Sequence, residues 1–146
     1  MCLILESISK MTSAKEIHVI LAAIPFYGHV RPLRSLAESL VHRNYSVTFV
    51  TGSAFRVFVE AIPGVKFVPL QGKADIDPDH FEEQFPGRKD YDGLEKVFFD
   101  FREVFFGTMR GQFDAVQEVL RAHQGQRNVV LADGSMIFYS CFGKCF

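Results

Sequence analysis

Two residues of this 146-residue chain join reactive chemistry to a telling place in the sequence. His29 stands in "YGHVRP", directly after an apolar run that breaks at Pro25. Imidazole titrates near neutrality and can take a proton from a hydroxyl. Gly28, just before it, lets the backbone turn sharply or pass close to a ligand. Asp133 ends a second apolar run, "NVVLAD". A carboxylate there could hold the far nitrogen of an imidazole and stabilise the imidazolium that forms, which is the orienting logic of a dyad. Each residue also has a plainer role. His29 could be a loop residue with a capping bond, and Asp133, followed by Gly134 and Ser135, is a good helix N-cap. Position alone leaves both roles open.

The elements around these residues decide whether they can meet. "IHVILAAI", Ile17 to Ile24, is almost continuously apolar and β-branched, as in a parallel strand covered on both faces. From Pro32 to Arg43, Leu33, Leu36, Ala37, Leu40 and Val41 recur at helical spacing, with Pro32 suited to a first turn. "YSVTFVTG", Tyr45 to Gly52, is a second strand of the same kind, and the three elements make a βαβ unit. A short helix is predicted over Ser53 to Ala61, a turn at Pro63–Gly64 and a third strand over Val65 to Leu70. Residues 71–92 are polar and rich in Asp, Gly and Pro, and read as a loop with one helical turn near Pro78 to Gln84. Leu94 to Leu120 keeps helical spacing throughout, with Gly107 and Gly111 as places where the helix could kink or split. Asn128 to Asp133 is a fourth strand, and a further helix is predicted from Gly134. This order predicts an α/β fold, a Rossmann-like open parallel sheet with helices on both faces. Ligands of such sheets bind outside the carboxyl ends of the strands, where both His29 and Asp133 fall.

Other features narrow the function. Net charge is −1, without basic blocks, so no nucleic-acid partner is expected. No apolar stretch approaches the ~20 residues of a membrane span. Cys2, Cys141 and Cys145 do not suggest a disulfide framework, and with no secretory signal in "MCLILES" a cytoplasmic location is expected. Cys141 and Cys145 lack a second ligand pair, so no metal site is expected. Residues 1–15 read as a disordered extension, with Met11 as an alternative start. Phenylalanine occurs 16 times. Most of the apolar stripe from Leu94 onward is expected in the core, yet Phe98, Phe99, Phe101, Phe105 and Phe106 cover more than one face, so some could line an apolar pocket. His18, His42, His80 and His123 show no ligand spacing and are expected to be structural or exposed. "GHVRP" is neither a dinucleotide fingerprint nor a P-loop, and no nucleophile elbow is present.

The stretch "PFYGHVRPLRSLAESLVHRNYSVTFVTGSAF" resembles the start of the UDP-glycosyltransferases of the GT-B fold, above all the macrolide-type branch of bacteria and fungi. "VKFVPLQGKADID" and "LADGSM" extend the resemblance over roughly residues 16–140. The resemblance implies that His29 is the base that deprotonates an acceptor hydroxyl and that Asp133 orients it. It implies inverting transfer of a hexose from a UDP-sugar, which is a co-substrate, with neither cofactor nor metal. It assigns Phe26, Tyr27, Gly28, Phe98, Phe105, Ser135 and Met136 to a lipophilic hydroxylated small-molecule acceptor. The family carries a second, C-terminal domain with a glycine- and histidine-rich donor motif, and no such motif occurs here. Residues 16–146 therefore read as a partial N-terminal acceptor-binding domain, truncated and inactive alone, with UDP-sugar bound only if a donor domain is supplied. The missing elements would leave an apolar face exposed. Two other classes stay open: a non-catalytic small-molecule-binding module, or an acceptor half acting with a separate donor-binding chain. A flavodoxin-like nucleotide-binding domain is a third, set back by the lack of a phosphate loop.

Overall fold

A computed structural model describes residues 17–136. Within them the predicted strands form at Ile17–Ala22 (β1), Ser46–Thr51 (β2), Val65–Pro69 (β3) and Arg127–Ala132 (β4). They make one sheet in the order β3-β2-β1-β4, and every pairing is parallel. Helices cover both faces, and a short one, Phe81–Gln84 (α3), lies in the segment after β3. Tyr27–His42 (α1) and Arg56–Glu60 (α2) lie on one face. Met109–Ala122 (α5) lies on the other. The fold is thus the expected α/β Rossmann-like arrangement, doubly wound.

Strand alternation divides the core in two. Val19, Leu21, Val47 and Phe49 point to α1 and α2, meeting Val30, Ala37, Phe55 and Val59. Ile20, Ala22 and Val50 point to α5, meeting Ala115, Val116 and Val119. Fully burying each of the Val, Leu, Ile and Phe side chains among these stabilises the fold by ~1.5–3 kcal/mol. The central strands β1 and β2 are therefore apolar on both faces, as their sequences suggested. β4 differs. Its residues alternate between exposed and half-buried, and Val129 and Leu131 are exposed on the α1 side. Their strand partners there, Val19 and Leu21, are buried under α1. Among the described residues nothing covers Val129 and Leu131 to the same extent.

Two local expectations are corrected and a third is refined. The first helix begins at Tyr27, not near Pro32, so Pro32 lies inside it. Its ring costs one intrahelical bond, to Gly28. The gain is tertiary: a helix begun at Tyr27 buries Val30 completely in the core. The helical segment over Leu94–Leu120 is split, as its glycines allowed, with Gly107 inside a break longer than one residue. Gly93–Phe99 (α4) passes into a π-helical turn at Asp100–Phe105 and a 3-10 turn at Phe106–Thr108 before α5. The Thr108 hydroxyl donates to the Val104 carbonyl at 2.5 Å and accepts from Gln112 Nε2 at 2.9 Å, so the break is stitched by buried polar bonds. Gly111 is not the break. It lies where α5 meets the chain after β3, and a Cβ there would sit 2.0 Å from the Gln71 carbonyl oxygen. Finally, the first part of the apolar stripe is not core. Leu94, Val97, Phe98 and Phe101 are exposed, while Phe99 and Val104 face inward to Ile76 and Phe85. The helix expected after Asp133 starts as a turn, and its continuation lies outside the described residues. The expected extension over residues 1–15 and the three cysteines lie outside them too.

Candidate active site

The chain order explains why His29 and Asp133 meet. From β1 the sheet grows outward through β2 to β3, then the chain crosses back and lays β4 on the other side of β1. β1 and β4 are therefore the point where the winding reverses, and in open α/β sheets ligands bind beyond the carboxyl ends at such a point. Ala22 pairs with Ala132 at those ends. Asp133 follows directly and extends the ladder by one bond, its N–H donating to the Ala22 carbonyl at 2.9 Å. On the β1 side, Ala23 donates to Val50 at 3.0 Å, and a tight turn then closes with Phe26 N–H on the Ile24 carbonyl at 2.8 Å. Phe26 is the N-cap of α1 in extended conformation. Its carbonyl accepts from His29 N–H at 2.9 Å and Val30 N–H at 3.0 Å. His29 is thus a first-turn helical residue, not a loop residue.

Its Nδ1 lies 2.7 Å from Oδ2 of Asp133. The histidine side chain is 37% exposed and the aspartate 14%, so the ring reaches solvent while its partner is shielded. The two carboxylate oxygens are divided between tasks. Oδ1 accepts from Ser135 N–H at 3.2 Å, and the Asp133 carbonyl accepts from Met136 N–H at 2.9 Å. Oδ2 is buried and makes no hydrogen bond among the described residues; what it has is the close approach of the imidazole, at ion-pair distance. The capping role and the partnering role of Asp133 hold together. The contact is made through Nδ1, so Nε2 is the ring nitrogen that Asp133 does not engage.

The other predicted site residues are spread more widely. Gly28 is helical, and a Cβ there would meet nothing within 4 Å, so open space adjoins the histidine. Phe26 is half-buried, edge-on to Phe81 with ring centroids 5.6 Å apart. Tyr27 is exposed, edge-on to Phe55 at 4.9 Å, with the Arg31 guanidinium over its ring. Ser135 lies in the turn after Asp133. These lie next to the pair in sequence, and of them Ser135 touches it, through its N–H on Asp133. Phe105, Phe98 and Met136 are placed otherwise. Phe105 packs against the core under α5, and Met136 is buried in it. Phe98 is exposed and lines a cavity of about 210 Å³ with Tyr91, Glu95, Phe99 and Arg102, a wall that does not include His29.

Sequence reasoning passed over Asp75. It lies in the stretch read as a loop, yet its carboxylate accepts from Ser53 N–H at 2.6 Å and Ser53 hydroxyl at 2.5 Å, tying the ends of β2 and β3 together. Its only signal was an acid within a polar run after a strand. Among the described residues no group of three His, Cys, Asp or Glu is placed to hold a metal ion. No helix there is long and apolar enough to cross a membrane.

No family model matches the chain. Curated relatives do. It is 37% identical over 122 residues to UDP-glucosyltransferase B1 of Starmerella bombicola, covering 82% of this chain and 28% of the relative. It is 38% identical over 125 residues to UDP-glycosyltransferase 2 of Phaeomoniella chlamydospora, covering 84% of this chain and 27% of the relative. Among solved structures, the calicheamicin glycosyltransferase CalG4 superposes with a TM-score of 0.57 at 22% identity, over 80% of this chain and 26% of that one. The doubly wound sheet is thus that of a GT-B glycosyltransferase. With its sequence relatives, the chain belongs to the UDP-glycosyltransferases. It spans just over a quarter of the length of the curated relatives it matches.

Proposed function

We propose that this chain is the acceptor-binding part of a UDP-sugar-dependent glycosyltransferase, with His29 as general base and Asp133 as the residue that orients it. The observation that carries the reading is the 2.7 Å approach of His29 Nδ1 to Asp133 at the reversal point of the sheet. Nε2 takes the proton of an acceptor hydroxyl as that oxygen attacks the anomeric carbon of the sugar. The bond from this carbon to the diphosphate breaks, UDP leaves with the electron pair, and configuration inverts. Asp133 stabilises the imidazolium that results. The acceptor is a lipophilic hydroxylated small molecule, a reading supported by Phe26 and Tyr27 beside the histidine and by the open space at Gly28. The UDP-sugar is assigned to the part of the relatives that this chain does not match.

The test is a chimera in which this chain replaces its aligned portion of UDP-glucosyltransferase B1 from Starmerella bombicola. The chimera is expected to transfer glucose from UDP-glucose, and His29→Ala to lower kcat by about 10²–10⁴-fold, the usual worth of a positioned base. Near-normal transfer by the His29→Ala chimera would remove the base from His29.

A further inference from the structure

Gly52 follows β2, and its backbone is ordinary extended chain (φ −64°, ψ 149°) that any residue adopts. Its need for glycine is one of space. A Cβ there would lie 2.5 Å from Pro25 Cβ, 3.2 Å from Pro25 Cγ and 3.0 Å from the Ile76 carbonyl oxygen. A proline ring and a backbone carbonyl cannot swing aside as a flexible side chain can. Three segments that follow strands therefore converge on this one α-carbon: Pro25 in the turn after β1, Gly52 directly after β2, and Ile76 past the 3-10 turn Gly72–Ala74 that follows β3. The neighbouring residues lock the junction. Ser53 gives both its N–H and its hydroxyl to the two carboxylate oxygens of Asp75.

Pro25 is the hinge through which this junction reaches the histidine. The next residue, Phe26, caps α1, and its carbonyl holds the N–H groups of His29 and Val30. Asp133 is positioned independently, by its ladder bond to Ala22. The 2.7 Å pairing thus depends on where the turn between β1 and α1 sits above the β1 end. A shift of ~1 Å would take it beyond hydrogen-bonding reach. We infer that Gly52, clamped by the Ser53–Asp75 bonds, is a positioning residue that sets the His29–Asp133 pair. This deepens the proposed function and rests on His29 being its base.

The test reads the pair itself and not turnover. In the ¹⁵N-labelled 146-residue chain, two-bond ¹H–¹⁵N spectra show which ring nitrogen of His29 carries the proton. Wild type is expected to hold it on Nδ1, and Asp133→Ala to release it to the mixture of an unpaired ring. Gly52→Ala is expected to move the His29 signals by roughly half of that difference or more. If Gly52→Ala does not fold, Asp75→Ala decides the matter by the same signal, with a shift towards the Asp133→Ala spectrum expected. Unchanged His29 signals in folded Gly52→Ala, or in Asp75→Ala where that variant decides, would overturn the positioning role alone. Unchanged signals in Asp133→Ala would instead overturn the pairing on which the proposed function stands.

Discussion

At the scale of single residues, one carboxylate does two jobs because its oxygens are separately engaged. Oδ1 holds the turn through Ser135 N–H, and Oδ2 is left for the imidazole. Asp133→Asn tests the second job with little harm to the first. The amide can still cap the turn through its oxygen, but facing His29 with its NH₂ it would demand an acceptor at Nδ1 and so the wrong tautomer. In the chimeric enzyme this variant is expected to lower kcat by about 10²-fold or more while KM changes little, as steady-state kinetics would show. An equal fall in kcat with a large rise in KM would point to binding instead. The types of both residues, and their places at strand ends, were legible in the sequence. Their distance was not, because nothing local to "YGHVRP" or "LADGSM" states which strands are neighbours.

At the scale of elements, the start of the sheet is held by a polar network that plays no part in the site. His18 on β1 is buried, with Nδ1 2.9 Å from Asn128 Oδ1 on β4 and Nε2 2.8 Å from the Thr48 hydroxyl on β2. The Asn128 amide group donates to the carbonyls of His123 and Gln126, so its oxygen faces His18 and accepts from Nδ1–H. The His123 ring stacks on His18 at 3.8 Å. Burial pushes the His18 pKa below its ordinary 6.5; Asn128 opposes this, while the nearby charges of His123 and Lys66 add to it. The unfolded chain therefore binds this proton more readily than the folded one. The stability contributed is full above about pH 6.5 and is lost as pH falls below it. Urea midpoints are expected to drop between about pH 7.5 and about pH 5, and His18→Gln to flatten that dependence. An unaltered slope in the variant would exclude His18 as the source. Sequence reading left this histidine as structural or exposed; the fold buries it, because an imidazole within an apolar strand finds its partners on the neighbouring strands.

At the scale of the whole molecule, exposed apolar side chains among the described residues gather on the α4 segment and on β4. Leu94, Val97, Phe98 and Phe101 recur at helical spacing on the exposed side of the α4 segment, and Val129 and Leu131 are exposed on β4. Surface of this kind favours self-association. Light scattering of the 146-residue chain is expected to rise with concentration, and Leu94→Glu with Phe98→Glu to reduce that rise. Scattering as strong in the double variant would show that the stripe is not what associates. The stripe also shows how periodicity misleads. Three-to-four spacing says that one face is apolar, and here the helical segment is apolar on two faces, so spacing alone could not say which one packs. Phe99 and Val104 were chosen because Ile76 and Phe85 stand opposite them.

The sequence by itself determined the four strands, the parallel α/β class and the two reactive residues at strand ends, because hydrophobic runs and turn residues act locally. It also carried the family, through the first βαβ unit. Tertiary structure decided the rest. It started α1 at Tyr27 in spite of Pro32, because Val30 gains full burial there. It broke the long helix at Asp100–Thr108 and buried Met136, which the sequence had given to the acceptor. Above all it laid β4 beside β1, and only that pairing across more than a hundred residues brings His29 within 2.7 Å of Asp133.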